Sequence, residues 1–172
     1  MTYKEINLSL CTWTEIKTYL ETSKTIILPI GSTEQHGPTG AIGTDAFTAE
    51  VIAKEVGKLT NTIVAPVVSY GMAQHHLAFP GTMSLKPSTF QLLLHDLIFS
   101  LATNGFEKVF VINGHGGNIA SAKAAFSEVY RTLDEKNLNH QRSFKCKLYN
   151  WFLIPEIYKL ANELYGSNEG QH

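Results

Sequence analysis

KVFVINGHGGN, Lys108 to Asn118, passes from a run of β-branched and aromatic residues straight into a glycine-rich turn carrying one histidine. KVFVI, over 108–112, has no polar alternation. Such a run reads as a short strand covered on both faces, as in parallel sheets. The turn places His115 at the carboxyl end of that strand, where ligands gather in open α/β sheets. Gly114 and Gly116 flank it. Glycines there let the backbone turn sharply and let a substrate approach closely, so both are candidate substrate contacts through their backbone N–H groups.

Working outward, the same grammar repeats. Lys24 to Pro29, KTIILP, is a second apolar strand candidate and ends in GSTEQHGPTG. Thr44 reads as an N-cap, and the helix it opens carries apolar residues at Phe47, Val51, Ile52 and Val56. TIVAPVV, over 62–68, is a further strand candidate, followed by a long loop to Pro87. A helix from Ser88 runs to Gly105, a residue suited to a left-handed helix end. Ala120 to Asp134 predicts another helix, Phe144 to Tyr149 a fourth strand and Pro155 to Leu164 a last helix. Strands alternating with helices at this spacing predict an α/β fold with a mostly parallel central sheet, one domain over 1–172.

Composition narrows the function classes. Apolar residues make up 44% and charged residues 17%, as in ordinary globular chains. Fourteen Lys and Arg nearly balance 15 Asp and Glu, so no basic stripe is available for nucleic acid and no basic helix for a membrane surface. No apolar run reaches the roughly 20 residues that span a bilayer, and MTYKEINLSL lacks the apolar core of a signal peptide. The expected location is the cytoplasm. Cys11 and Cys146 form no Cys-x-x-Cys pair and read as inert thiols.

Two strands thus end in polar loops with histidine. The first delivers Glu34 and His36, which in an extended segment point to the same side and would face one ion together. Asp45 follows nine residues after His36, where a helix N-terminus favours a carboxylate. With His115, these residues make a set of nitrogen and oxygen ligands suited to one or two ions of zinc, manganese or iron. Asp45, with short reach and two oxygens, is the candidate bridge. A metal-bound hydroxide attacking a carbonyl is the chemistry such a centre performs. A rival reading takes NGHGGN as an anion-binding turn at a helix N-terminus, although neither phosphate-loop spacing is present.

ILPIGSTEQHGPTGAIGTDAF, YGMAQHHLAFPGTMSL and FVINGHGGN closely resemble, in order and spacing, the three signature blocks of the creatininase (creatinine amidohydrolase) family. The resemblance implies a three-layer α/β/α domain, usually a homo-oligomer (a hexamer), with two divalent metals and a small-molecule amide substrate. It puts Glu34, His36, Asp45 and His115 on ligand positions, with Asp45 bridging, and Trp151 on the wall of the substrate pocket. SNEGQH resembles the start of a fourth block, which makes His172 a catalytic residue that contacts the substrate or protonates the leaving nitrogen. Relative to the family's pattern the chain stops there, short of a further strand, a helix and a glutamate. Gly117 stands where creatininases carry a glutamate ligand, and NGHGGN is shared with a broader branch that includes formamide deformylases and a peptidase of redox-peptide maturation.

The resemblance therefore implies an amidohydrolase cleaving a non-peptide or cyclic C–N bond. A formamide deformylase of the same family is the alternative, and a catalytically inactive metal- or partner-binding remnant the alternative of another class. His76, with His75, sits in the second block as a candidate substrate contact. His95, in LLLHDLIF, reads as a helix-packing residue and His140 as a solvated loop residue.

Overall fold

The computed structural model describes residues 5–137 and 143–166. Four strands, β1 (Thr25–Ile30), β2 (Ile63–Val64), β3 (Lys108–Asn113) and β4 (Lys145–Asn150), form one all-parallel sheet in the order β2-β1-β3-β4. Five helices surround it: α1 (Trp13–Thr22), α2 (Thr44–Thr60), α3 (Pro87–Thr103), α4 (Asn118–Glu135) and α5 (Pro155–Tyr165). The architecture is α/β/α. Along β1, Ile26, Leu28 and Ile30 point into a core built with Tyr19 of α1, Phe90, Leu94 and Ile98 of α3, and Ala122, Phe126 and Val129 of α4. Ile27 points the other way, into a smaller cluster with Val64, Ile112 and Ala53 of α2. The period-two alternation of a strand thus divides its apolar side chains between the two helix layers.

Several expectations are corrected. The strand expected over 62–68 pairs as a strand at Ile63–Val64 alone. Pro66 has no N–H to give the ladder, and pairing resumes beyond it with Val68 N–H donating to the Pro29 carbonyl. The helix α1 was not anticipated, although Thr12 and Glu15 form a capping box that marks its start. Its Trp13, Ile16, Tyr19 and Leu20 also fall at helical spacing, and the last three pack into the core.

Of the apolar residues that mark α2 as a helix, Ile52 packs against the smaller cluster. Phe47 and Val51 are exposed, and the helix instead buries Ala46, Ala49, Ala53 and Gly57. Small residues let α2 lie close to the sheet. The closest approach is at its first turn. A Cβ on Gly31, just past β1, would stand 2.3 Å from the Ala46 nitrogen. One on Gly114, just past β3, would stand 2.2 Å from the Asp45 carbonyl oxygen. Neither glycine has a positive φ. Gly114 is needed for space, and the sharp turn expected from backbone freedom is not its role.

Coverage of both faces holds for β1 but not for β4, whose residues alternate between exposed and half-buried. Beside α2 the sheet shows an apolar groove lined in part by Ile27, Phe110, Ile112, Tyr149 and Trp151. Cys11 and Cys146 are both free thiols. Burial pushes the Cys146 thiol up to about 12 and raises that of Cys11 as well. Because the thiolate is the nucleophile, iodoacetamide at pH 8 should label Cys146 at least about tenfold more slowly in the folded chain than in urea. Gly31→Ala and Gly114→Ala should each cost about 3 kcal/mol, the upper end of overpacking costs. Urea denaturation would show this as a lowered midpoint with unchanged slope.

Candidate metal centre

Three chain segments meet at the carboxyl ends of β1 and β3. The loop after β1 supplies Glu34, the first turn of α2 supplies Asp45 and the turn after β3 supplies His115. All three are buried, at 4%, 7% and 5% exposure. One donor atom from each lies within 4.8 Å of the others, making a group that could hold a metal ion. His115 Nδ1 stands 3.0 Å from Glu34 Oε1 and 3.0 Å from Asp45 Oδ2. Yet Glu34 Oε2 is buried without a hydrogen-bond partner, and Asp45 Oδ2, equally buried, has only the His115 nitrogen beside it. A buried carboxylate oxygen short of donors is costly, and two carboxylates converging on one imidazole nitrogen is a grouping that could hold a cation.

The electrostatics agree. Burial works against an imidazolium at His115, but the Asp45 and Glu34 carboxylates beside it prevail and push its pKa up to about 10. Burial likewise works against the Glu34 carboxylate, yet His115 holds its pKa below the ordinary carboxylate value. Two carboxylates in one low-dielectric pocket demand positive charge, which a divalent ion supplies. The orientation of His115 is set from behind, its Nε2 lying 2.9 Å from the Met72 carbonyl. A proton held at Nε2 leaves the Nδ1 lone pair for a metal.

His36 does not share that point. His36 opens a tight turn over 37–39, with a bridge from His36 to Gly40 and Gly37 at φ +70°. The His36 Nε2 instead lies 2.9 Å from Asp45 Oδ1, while its Nδ1 faces the Glu34 carbonyl at 3.2 Å. Asp45 therefore presents one oxygen to His115 and the other to His36.

Gly114 is buried and donates its N–H to the Ile30 carbonyl at 2.9 Å, so that group is not available to a substrate. Gly116 is exposed. The N–H groups of Asn118 and Ile119 are taken by the His115 and Gly116 carbonyls, which leaves little of an anion-binding helix start. A Cβ on Gly117 would stand 2.3 Å from the Met72 carbonyl oxygen and 2.4 Å from His115 Nε2; a glutamate does not fit this turn as it is folded. Trp151 packs against the cluster of Ile27, Val64 and Ile112 and lines the apolar groove, whose lining includes none of the four ligand candidates. His76 reaches the centre, with Nε2 3.6 Å from Glu34 Oε1. His95 bridges α3 and α4 through Nε2 to Thr132 Oγ1 at 3.0 Å, a packing role as expected. His140 and His172 lie outside the described residues.

Sequence reasoning missed the asparagines that hold the rim. Asn118, fully buried, donates from Nδ2 to the Gly31 carbonyl at 2.9 Å and accepts the Met72 N–H at 3.0 Å. Asn113 accepts the His115 N–H and donates to Asn150 Oδ1. The ends of β1, β3 and β4 and the 72 loop are thus tied by two amides. Buried asparagines opening and closing the turn were the available signal.

The creatininase family (creatinine amidohydrolase) matches residues 9–172, and this chain belongs to it. Among relatives, the 3-dehydro-scyllo-inosose hydrolase of Thermotoga maritima is 37% identical over 106 residues, covering 61% of this chain and 34% of that protein. The mycofactocin precursor peptide peptidase of Mycolicibacterium smegmatis is also 37% identical, over 58% of this chain and 42% of its own length. The creatinine amidohydrolase of Pseudomonas putida is 29% identical, over 62% and 44%. A crystal structure of creatininase has the same fold, with a TM-score of 0.83 at 24% identity, covering 95% of this chain and 64% of that one. The matches thus span less than half of these relatives and under two thirds of that structure.

Asn118→Ala should destabilise the fold by about 3 kcal/mol, since it strands a buried carbonyl and a buried N–H together. Thermal denaturation would register it, and a change under about 0.5 kcal/mol would mean that the rim is held by other contacts.

Proposed function

We propose that this chain is a metal-dependent hydrolase of C–N amide bonds, acting on a small molecule with a non-peptide or cyclic amide. The observation that carries the reading is the buried convergence of Glu34, Asp45 and His115, with Glu34 Oε2 left without a hydrogen-bond partner. The named relatives are a hydrolase, a peptidase and an amidohydrolase. Solved creatininases of the same fold include manganese and zinc forms and a complex with creatine.

A bound divalent ion supplies a Lewis-acidic centre that polarises an amide carbonyl and makes water acidic enough to serve as nucleophile at neutral pH. The chain's own residues do the rest. Glu34, Asp45 and His115 hold the ion and leave further positions open, as catalytic sites with three protein ligands do. His36 and the second oxygen of Asp45 offer two donors to a second ion. The turn at Gly116 is the open side for a substrate, and His172 remains the proposed acid toward the leaving nitrogen.

A second reading, cleavage of a peptide bond, is favoured by the 37% identity to the mycofactocin peptidase against 29% to the creatinine amidohydrolase. The hexamer is likewise a proposal, supported by the exposed apolar side chains Phe47, Val51 and Leu59 on α2. Among the described residues no helix is long and apolar enough to cross a membrane.

Elemental analysis after zinc loading should find one tightly held equivalent, lost in His115→Ala, and a second that His36→Ala weakens at least about tenfold. The loaded chain should then release product from creatinine, formamides or short peptides, and chelation should abolish it. Stoichiometric metal without turnover on any of these would favour a metal-binding remnant. Absence of metal binding would overturn the reading.

A further inference from the structure

The loop after β2 carries a 3-10 turn over Gln74–His76 and brings two imidazoles to the metal centre. The His75 ring stacks on that of His115, with centroids 5.9 Å apart and 8° between planes. His76 is half-buried and points Nε2 at Glu34 Oε1 from 3.6 Å, too far for a hydrogen bond. Among the described residues no hydrogen bond closes that nitrogen.

The other side of the ring is fixed by Gln35. Its Nε2 lies 3.0 Å from His76 Nδ1 and its Oε1 2.8 Å from the Gly37 nitrogen. Amide orientations are settled by their hydrogen-bond partners, and here the partner is unambiguous. A backbone N–H can only donate, so the amide oxygen of Gln35 faces Gly37 and its NH2 faces His76. An NH2 group can only donate as well, so His76 Nδ1 must carry a lone pair. The ring proton of neutral His76 is therefore on Nε2, aimed into the metal centre. A nitrogen that carries a proton cannot ligate a metal, which separates His76 from His115, whose metal-facing nitrogen is unprotonated when Nε2 donates to Met72.

We propose that His76 is a tautomer-locked N–H donor of the active site, hydrogen-bonding from Nε2 to the carbonyl oxygen of the amide substrate, with Gln35 as the positioning residue that holds the lock. The assignment rests on the hydrolase reading. The oxygen of an amide gains negative charge as its carbon becomes tetrahedral, and a fixed donor there strengthens in the transition state. The lock runs from the backbone of Gly37 through one side-chain amide to one imidazole, and every member is a donor or acceptor by chemistry alone.

Long-range nitrogen–proton NMR on the zinc-loaded full chain, with calorimetry of acetohydroxamate binding, tests it. The His76 ring should show protonated Nε2 and bare Nδ1 in the wild type, and a protonated Nδ1 in Gln35→Glu, where a carboxylate accepts. His76→Phe should leave zinc affinity within about threefold and weaken acetohydroxamate about tenfold, the loss of one hydrogen bond to a charged group. His76→Gln, which restores a donor, should recover most of that loss. A wild-type ring protonated at Nδ1, or unchanged acetohydroxamate binding in His76→Phe, overturns the proposal while leaving the hydrolase reading intact. So does a tenfold loss of zinc affinity in His76→Phe, which would make His76 a ligand. A wild-type chain that takes up no zinc overturns both.

Discussion

The seating of the first turn of α2 between the ends of β1 and β3 is the contact on which the rest depends. Side chains are excluded at Gly31 and Gly114, so the helix backbone meets the strand ends directly. Asp45 is thereby carried to Glu34 and His115, which arrive from the ends of two different strands, and the centre exists only while that contact holds. Small residues along α2 continue the logic, since Ala49, Ala53 and Gly57 keep the whole helix near the sheet. Large apolar residues there would fill the layer better but lift the helix away. The fold gives up burial of Phe47 and Val51 to keep the backbone close.

The same contact governs the electrostatics. Two carboxylates packed side by side repel, and only part of that repulsion is relieved by the N-terminal end of the α2 dipole near Asp45. His115 answers from β3, with Met72 behind it, and the amides of Asn113 and Asn118 absorb the backbone groups that the close approach strips of water. The centre is thus rigid on its protein side and polar where it faces outward.

Much of this was legible in the sequence, for physical reasons. β1 and β3 are uninterrupted apolar runs that end in loops with chemistry, so both strands and the residues they deliver could be read directly. Glu34, Asp45 and His115 followed from position alone. His36 meets Asp45 on the oxygen opposite the one that faces His115, a pairing that the spacing of Glu34 and His36 could not show. The shortness of β2 follows from Pro66, a residue in plain sight. The packing face of α2 was unreadable from apolar periodicity, since its buried stripe is alanine and glycine. The Gln35–His76 pairing joins loops from different strands, and no local pattern encodes it.

The edges of the sheet are managed unequally. β2 has two residues and offers a second chain little to pair with. Among the described residues β4 is the other outer strand, and its three exposed positions include Lys145 and Lys147. A second copy adding its own β4 in parallel register would set Lys145 against Lys145 and Lys147 against Lys147. Charge at two of the three exposed positions of β4 thus works against the stacking of like strands.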